Sequence, residues 1–341
     1  MKEKSQVIRE RCVHVMSADT EMTPLMAEQP EMITFGESMA LMIPAGSKGI
    51  EYSQMFEKSF AGAESNVAIG VARLGHRAGW FGRLGKDPLG STILKQIRGE
   101  GVDVSRVELT TEAPTGLIIR EVVGGKSSVF YYRKHSAASL MKPTHLDESY
   151  IKQAKILHIT GITPALSASC KATVLEAIAM AQRNGVKVCF DPNLRLKLWT
   201  IEDARETILA IAEQCDYFLP GLDELKLLYQ TDDFQTIINL LKALKVTSVI
   251  KGDGETFLLE KGGLSSVPYY KVEQVIDTVG AGDGFCAGFI TGLLKQYTYK
   301  EAIRLGNLIG SMVIQMEGDY EGLPTWEQVE AKLSNKAHVE R

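Results

Sequence analysis

The residues with the clearest potential for chemistry lie in one short stretch, residues 277–289. Gly280, Gly282 and Gly284 surround the start of a predicted helix, in which Phe285 and Phe289 share one face. Glycines at such a position let backbone N–H groups converge on a ligand without hindrance from side chains. Because the helix dipole adds partial positive charge there, the stretch predicts an anion site that favours phosphate.

Asp283 stands inside this predicted anion site. A carboxylate in the first turn of a helix often serves only as a cap, and the residue type by itself leaves that reading open. A carboxylate also repels a phosphate, so its position has a chemical reason if it acts as a base. It would then take a proton from an acceptor hydroxyl while the backbone amides hold the transferring phosphoryl group.

The run Asp-Thr-Val-Gly-Ala-Gly-Asp at 277–283 resembles the C-terminal signature of the ribokinase-like (PfkB) carbohydrate kinases. The resemblance implies that Asp283 is the catalytic base and that Gly280, Ala281 and Gly282 form an anion hole for the phosphates of ATP. The sequence contains no Walker-type Gly-x-x-x-x-Gly-Lys-Ser/Thr loop and no protein-kinase His-Arg-Asp or Asp-Phe-Gly motif. We therefore expect a sugar kinase rather than a P-loop enzyme or a protein kinase.

The composition is that of a globular protein that acts on small molecules. The 341 residues are 45% hydrophobic, which suits one large α/β domain or two ordinary ones. A net charge of -4 without a Lys/Arg cluster gives no reason to expect a nucleic-acid partner. The five cysteines form no Cys-x-x-Cys pair, and no apolar run reaches the roughly 18 residues of a membrane span. We therefore expect a cytoplasmic protein without nucleic-acid or membrane partners.

Apolar strands alternate with helices from residue 155 onward, which predicts a parallel sheet covered on both faces. The predicted strands are 155–160, 186–190, 215–219 and 246–251, and the helices between them are about 167–183, 202–213 and 233–244. The family resemblance implies a ribokinase-like three-layer α/β/α sandwich with a mostly parallel central sheet. It also implies a small β-sheet lid, built from segments of about 38–60 and 112–136.

The resemblance covers about residues 31 to 325, and we assign residues 31–330 to a single kinase domain. Residues 1–30 carry mixed charge without sustained periodicity, so we expect a disordered tail there. Translation would then start physiologically at Met26 or Met32. Residues 331–341 are expected to form a C-terminal tail.

Two segments are candidates for binding the acceptor sugar. The segment 60–68 resembles the N-terminal signature of the family, which implies that Gly62 and Ala63 let the sugar approach while Asn66 bonds its hydroxyls. Small residues for close helix packing are the alternative. Segments 115–122 and 127–133 predict a hairpin across Gly124-Gly125. Strand alternation places Tyr131 and Arg133 on one face, either against the substrate or on an exposed edge.

Three predicted strands end in segments rich in polar residues and glycine, and ligands of parallel α/β sheets bind at such ends. The turn Lys251-Gly252-Asp253-Gly254 resembles the nucleotide loop of the family, which implies contacts of Lys251, Gly252 and Gly254 with ATP. Asn193 and Arg195, after an earlier strand, are assigned to ATP by the same resemblance. A purely structural turn is the alternative for the glycines.

Two further residues are assigned through the family alone. Glu224 matches the last position of an Asn-x-x-Glu motif that organises water and Mg²⁺, although Gly221 replaces the asparagine. Glu224 is therefore an outer-shell magnesium candidate, or else a residue that opens the following helix. Asn307 falls where the family places a residue near adenine, or it makes a helix-packing hydrogen bond. Some relatives also use a monovalent cation, which the sequence leaves open.

Arg195 bears on the identity of the acceptor. A permanently charged arginine beside a phosphate-transfer crevice can hold a carboxylate through two parallel bonds. The segment 191–199 and the run Tyr131-Tyr132-Arg133 resemble the branch of the family that phosphorylates 2-keto-3-deoxygluconate at C6. Fructokinase, ribokinase and 5-dehydro-2-deoxygluconate kinase remain alternatives, as does a sugar-binding regulator without catalysis. The resemblance also implies a homo-oligomer formed through the lid, while the C4 stereochemistry of the acceptor stays open.

Overall fold

A computed structural model of the protein describes residues 29–46, 48–124 and 126–334, without the side chain of Lys126. The two predicted tails, 1–30 and 331–341, lie mostly outside the described residues, and so does Met26. Gly125 of the predicted hairpin turn also lies outside them. No helix in the described ranges is long and apolar enough to cross a membrane.

Strands of three sheets run through the described chain. An eight-stranded sheet has the order β14-β13-β12-β11-β10-β9-β1-β4, a four-stranded sheet the order β3-β2-β7-β8, and β5 pairs with β6. The strands are β1 Met32–Phe35, β2 Met39–Pro44, β3 Phe56–Ala61, β4 Ala78–Phe81, β5 Arg83–Gly85, β6 Glu108–Thr110, β7 Leu117–Val123, β8 Lys126–Tyr132, β9 Ile156–Thr160, β10 Lys187–Asp191, β11 Tyr217–Phe218, β12 Thr247–Lys251, β13 Glu255–Glu260 and β14 Gly263–Pro268.

The eight-stranded sheet is the centre of the domain. Strands β4, β1, β9, β10, β11 and β12 run parallel, and β13 and β14 continue the sheet as an antiparallel hairpin. The strand Ile156–Thr160 is buried at every position and mainly apolar, with His158 and Thr160 as its polar residues, because helices cover both faces of the sheet. The predicted mostly parallel sheet is therefore confirmed.

Helices pack on the two faces of this sheet and form two separate apolar cores. The helices are α1 Ala63–Arg73, α2 Pro88–Gly99, α3 Glu148–Ile151, α4 Ile162–Leu166, α5 Ala168–Arg183, α6 Ile201–Ala212, α7 Leu222–Tyr229, α8 Phe234–Leu244, α9 Ala281–Leu294, α10 Tyr299–Val313 and α11 Trp326–Leu333. Buried side chains of α1, α9 and α10 belong to one core, and those of α5, α6 and α8 belong to the other. The three-layer arrangement is confirmed.

The four-stranded sheet, which we call the lid sheet, covers the carboxyl ends of the central strands. Strands β7 and β8 form the predicted hairpin, with Ile118 opposite Tyr131 and Leu117 opposite Tyr132. Its own buried core is small and consists of Met39, Leu41, Ala61 and Ile118. Two separate parts of the chain, 39–61 and 117–132, therefore build one small sheet over the ligand edge of the large one.

Candidate active site

The glycine turn before α9 has the geometry of an open anion-binding turn. Gly280 adopts a left-handed φ of 75°, and a Cβ there would come within 2.3 Å of the Asp319 carbonyl oxygen. At Gly282, in contrast, an added Cβ would meet nothing within 4 Å. Gly280 is thus required by the backbone, whereas Gly282 leaves free space beside the first amides of the helix, where an anion is favoured.

Asp283, on the first turn of α9, is 8% exposed and lies between two other polar side chains. Its Oδ2 accepts a hydrogen bond of 2.8 Å from Asn66 Nδ2, and the same nitrogen donates to Asp319 Oδ1 at 2.6 Å. Burial raises the pKa of Asp283 to about 8, and the negative charges of Asp319 and Asp191 act in the same direction. The bond from Asn66 and the charge of Arg195 oppose this rise.

Two cavities meet at the glycine turn. The polar cavity, of about 510 Å³, lies between the lid sheet and the central sheet. The apolar cavity, of about 310 Å³, lies beside β14 and α10. Lys251 and Gly282 line both cavities, so the two spaces adjoin at the anion-binding turn. Asp283 faces the polar one.

The polar cavity brings together most of the residues that the sequence assigns to the acceptor. Its lining includes Gly62, Ala63, Tyr131, Arg133, Arg195 and Asp283. Asn66 is absent from the lining and is fully buried behind it. The sequence therefore places the right segments around the cavity, but the side chain of Asn66 turns toward the carboxylates of Asp283 and Asp319.

The two arginines assigned to the acceptor have different surroundings. Arg133 forms an ion pair with the fully buried Glu37 and donates to its Oε2 from Nε at 2.6 Å. Ser136 Oγ donates to the other oxygen of Glu37 at 2.5 Å. Arg195 is exposed, makes no ion pair within the described part of the chain, and donates only to the Leu194 carbonyl oxygen at 3.3 Å. Arg195 is thus the freer of the two charges.

The ends of β10 and β12 place a charged pair below the polar cavity. Lys251 Nζ donates to Asp191 Oδ1 at 3.1 Å, and both groups are largely buried. Burial opposes the charge on Lys251, but its acidic neighbours, Asp191 foremost and then Cys286 and Glu224, together outweigh burial and raise the pKa of Lys251. Asn193 follows β10, has a left-handed φ of 39° and lines the polar cavity. The apolar cavity does not include Asn193.

Glu224 caps the N-terminus of α7, which agrees with the alternative that it opens this helix. It accepts hydrogen bonds from the backbone nitrogens of Gly221 at 2.6 Å and Leu194 at 2.7 Å. Burial raises its pKa, and the nearby charge of Asp191 adds to that rise. No group of three or more His, Cys, Asp or Glu side chains suited to a metal ion occurs among the described residues. The magnesium role of Glu224 stays a prediction.

The apolar cavity has aromatic and aliphatic walls that include Tyr269, Phe285 and Ile314. Asn307 also lines it, but its side chain is bonded to the edge of the sheet. The Oδ1 of Asn307 accepts from Thr256 Oγ1 at 2.7 Å, and its Nδ2 donates to the Pro268 carbonyl oxygen at 3.2 Å. This is a packing hydrogen bond of the kind given as the alternative, although it joins a helix to strands.

The turn 251–254 is the tight connection of the β12–β13 hairpin. The backbone nitrogen of Gly252 donates to the Glu255 carbonyl oxygen at 3.0 Å, and Gly254 has a φ of 78°. Neither glycine lines the two cavities, whereas Lys251 lines both. Lys251 is thus the residue of this turn that reaches both cavities, and contacts of Gly252 and Gly254 with ATP stay a prediction.

Three polar groups of the site are not among the residues predicted from the sequence. Asp319 lies in the irregular segment after α10, Glu37 lies between β1 and β2, and Arg120 of the lid sheet pairs with Asp277 at 2.7 Å. Asp319 and Asn66 are 253 positions apart. Only the alternation of β7, which turns Arg120 to the same side as Ile118, hinted at one of them.

Comparison with known proteins defines the class to which this site belongs. Residues 30–326 match the pfkB family of carbohydrate kinases. This match covers most of the chain, and the chain belongs to that family. The glycine turn before α9 and the buried carboxylate of Asp283 thus lie in a carbohydrate kinase.

Individual relatives give a narrower comparison. The chain is 40% identical over 314 residues to 2-dehydro-3-deoxygluconokinase from Bacillus subtilis, covering 91% of this chain and 97% of that protein. It is 32% identical over 318 residues to fructokinase-1 from Oryza sativa subsp. japonica, covering 89% and 98% of the two chains. Both a sugar-acid kinase and a neutral-sugar kinase are therefore among its relatives.

Solved structures agree with the fold. The crystal structure of 2-dehydro-3-deoxygluconokinase from Thermotoga maritima aligns with a TM-score of 0.81 at 25% identity, covering 90% of this chain and 98% of that one. An E. coli structure in complex with ATP and Mg²⁺ aligns with a TM-score of 0.81 at 22% identity, covering 90% and 99%. The ribokinase-like fold predicted from the sequence is confirmed.

Proposed function

We propose that this kinase transfers the γ-phosphoryl group of ATP to the C6 hydroxyl of 2-keto-3-deoxygluconate, also called 2-dehydro-3-deoxygluconate. The product is 2-keto-3-deoxy-6-phosphogluconate. The observation that carries the proposal is the position of Asp283 and Gly282 at the junction of a polar and an apolar cavity. The identity of the acceptor is supported by the 40% identity to the Bacillus subtilis 2-dehydro-3-deoxygluconokinase.

The apolar cavity suits the base of ATP. Its walls include the aromatic side chains of Tyr269 and Phe285, and its volume is about 310 Å³. The phosphates would then extend toward the free space at Gly282, where the amides at the start of α9 point outward. In this arrangement Gly280, Ala281 and Gly282 stabilise negative charge on the transferring group.

Asp283 acts on the acceptor from the other side of the same turn. Its carboxylate takes the proton of the acceptor hydroxyl while the oxygen of that hydroxyl bonds to the γ-phosphorus and the bond to the β-phosphate oxygen breaks. The proton ends on Asp283, and ADP carries the leaving charge. Burial of Asp283 favours this direction of transfer because a buried carboxylate binds a proton more tightly than one in water.

Mg²⁺ would lie beside this turn, where the described residues form no cluster of three or more acidic, His or Cys ligands. Magnesium in kinases is bound largely through the phosphates of the nucleotide, with few protein ligands. Asp191 and Glu224 line the polar cavity and would hold its water ligands. Each oxygen of Glu224 that accepts a backbone N–H retains a second lone pair for such a water. When bound, the ion would neutralise charge on the phosphates.

The acceptor carboxylate is assigned to Arg195 and Arg133. Both arginines line the polar cavity at the side formed by β8 and the segment after β10. They also line a wider open groove of about 1270 Å³, whose lining contains Lys134 and Lys197 but no acidic residue. A sugar acid would thus enter along a positively charged surface, which raises its local concentration.

A kinase for a neutral sugar is the second candidate, favoured by the 32% identity to rice fructokinase-1. Purified enzyme tested with ATP against sugar acids, fructose and ribose, with ADP release as the readout, separates the two. We expect the highest kcat/KM with 2-keto-3-deoxygluconate. Preference for fructose or ribose over every sugar acid would replace the proposed acceptor and keep only the kinase family.

We also propose a homo-oligomer formed through the lid sheet. Its outer side exposes Val123, Phe130 and Tyr132, at 46%, 44% and 62% of their surface. Exposed apolar groups concentrated on one small sheet favour a protein contact there. Light scattering of Phe130→Glu beside the unchanged protein tests this, because a charge in such a contact should lower the oligomeric mass.

A further inference from the structure

Asn66 occupies an unusual position for a residue assigned to sugar binding. It lies in the first turn of α1 and is 0% exposed. Its side-chain nitrogen donates to Asp283 at 2.8 Å and to Asp319 at 2.6 Å. Three segments of the chain that are remote in sequence therefore meet at a single amide group.

The orientation of this amide is set by the two carboxylates. An amide NH₂ group has two hydrogens, and here each of them has an acceptor. The Oδ1 of Asn66 has no hydrogen-bond partner among the described residues. Asn66 also does not line the polar cavity. Both of its N–H hydrogens therefore bond to carboxylates behind the cavity and not to a group inside it.

We propose that Asn66 is a positioning residue for the base, which keeps the carboxylate of Asp283 ionised and fixed in direction by a hydrogen bond shared with Asp319. This inference rests on the proposed role of Asp283 in proton transfer. A buried carboxylate loses the solvation of water, and a donated hydrogen bond is the interaction that favours its charged form. Asn66 supplies that bond without adding a charge of its own.

The surroundings of Asp283 make such a donor important. Charged groups that act on it or share its cavity are Glu37, Asp191, Glu224 and Asp319 on the negative side and Arg120, Arg133, Arg195 and Lys251 on the positive side. The buried thiol of Cys286 lies one turn further along the same helix. Burial raises the pKa of Asp283 to about 8 and that of Asp319 to about 6. The base is thus already difficult to ionise at neutral pH.

The sign of the expected effect follows from the hydrogen bond. Asp283 accepts a proton only when it is ionised, so activity is lost as the pH falls through its pKa. Removing Asn66 Nδ2 withdraws a bond that favours the ionised form, so this pKa should rise further. The acidic limb of the pH profile of kcat/KM should therefore move to higher pH by about one unit, and activity should recover at alkaline pH.

The experiment measures kcat and kcat/KM between about pH 5 and pH 10 for Asn66→Ala and for the smaller change Asn66→Ser, with 2-keto-3-deoxygluconate and ATP saturating in turn. Asp319→Asn provides the opposite test, because loss of a neighbouring negative charge should move the limb to lower pH. Ser65→Ala is the matched control, since Ser65 donates to the Gly62 carbonyl oxygen in the same helical turn and contacts neither carboxylate. The acidic limb of the pH profile of Ser65→Ala should stay at the same pH as in the unchanged enzyme.

Two results would overturn the inference. A rise in KM for the acceptor by the same factor at every pH, with the limb unmoved, would make Asn66 a ligand of the sugar. Reduced thermal stability with an unmoved limb in both Asn66 variants, together with an unmoved limb in Asp319→Asn, would make the contact purely structural. Failure of the proposed function is recognised separately, because Asp283→Asn would then retain its rate of phosphoryl transfer.

Discussion

The central sheet and the lid sheet are held in place by different interactions. Strands of the central sheet lie between two large apolar cores that helices complete on either face. The inner face of the lid sheet has a small core of Met39, Leu41, Ala61 and Ile118. On its other face Ala40 and Phe60 belong to one of the large cores, whereas Phe130 and Tyr132 of β8 are exposed. Hydrophobic burial scales with the apolar area removed from water, so it stabilises the β7–β8 hairpin less than the central sheet.

Polar contacts join the lid sheet to the rest of the domain. Arg120 of β7 pairs with Asp277 at 2.7 Å, and Arg133 pairs with Glu37. Asp277 also accepts from the Val279 backbone nitrogen at 3.1 Å, so the first pair ends in the turn that carries the anion-binding amides. The central sheet is thus held by packing on both faces, while the β7–β8 hairpin and the residue that follows it are also joined to the site by ion pairs.

The largest effect on activity should come from a change at Asp283, which lies outside the lid sheet. Asp283→Asn is nearly isosteric but cannot accept the proton, so kcat should fall by at least about 10²-fold. The fold and ATP binding should be kept, because the substituted amide remains buried next to Asn66. Single-turnover transfer and ATP titration measure the two quantities. A rate within a few-fold of the unchanged enzyme would contradict the assignment of the base.

Features of the central sheet and of the turn before α9 could be predicted from the sequence. Strands β9, β10 and β12 are apolar runs, and each lies within one or two residues of its predicted bounds. The turn at 280–283 was found because glycines and a carboxylate at a helix start have few other uses. These features depend on local chemistry, which a single sequence records.

Residues that meet across the fold could not be predicted in the same way. The family resemblance assigned Asn66 to the sugar, but it did not predict that its side-chain nitrogen donates to Asp283 and Asp319. Arg133 lines the polar cavity as predicted, but its ion pair with Glu37 from another loop was not predicted. Such partners depend on tertiary contact between distant segments, for which the local pattern of one sequence carries no signal.

Arg133 follows a strand of the lid sheet and Arg195 follows a strand of the central sheet, so they compare the two sheets directly. Their replacement should have the next largest effect on activity. If both hold the acceptor carboxylate, alanine at either position removes a charge-assisted bond of about 1.5–3 kcal/mol, or roughly ten- to a hundredfold in affinity. KM for 2-keto-3-deoxygluconate should rise by that factor. KM for ATP should change little, although Arg195, which the family resemblance also assigns to ATP, should affect it modestly. Lysine should rescue only in part, because it lacks the planar two-bond contact.

The two alanine variants should differ in stability. Arg133→Ala leaves the buried carboxylate of Glu37 without its partner, a change that costs about 3 kcal/mol in comparable buried pairs. Arg195 is exposed and unpaired within the described ranges, so its replacement should alter unfolding by less than about 0.5 kcal/mol. Urea unfolding compares them, with Glu37→Gln/Arg133→Met as the control for the buried charge. Unchanged acceptor KM in both alanine variants would remove the carboxylate assignment.

The ion pair between Arg120 and Asp277 should have a smaller effect, on closure rather than on binding. Arg120→Met keeps much of the side-chain volume and removes the contact with the turn before α9. We expect kcat to fall a few-fold, because the lid sheet would close less often over the site. Asp277→Asn should resemble it, and a double variant should show no further loss. Additive losses would mean that the two residues act separately.

The smallest expected effect is a change in the motion of the lid sheet when ligands bind. Its small core and its ion pairs predict local opening at lower free energy than in the central sheet. Hydrogen exchange at 117–133 should therefore be faster than at 156–160 in the free enzyme. Addition of 2-keto-3-deoxygluconate with a non-hydrolysable ATP analogue should slow the former and leave the latter unchanged, because closure excludes water from the transfer site. Arg120→Met should reduce this protection, since the contact that joins β7 to the anion-binding turn is then missing. Equal exchange in the two sheets, or no response to ligands, would show that the four-stranded sheet is a fixed wall of the site and not a lid.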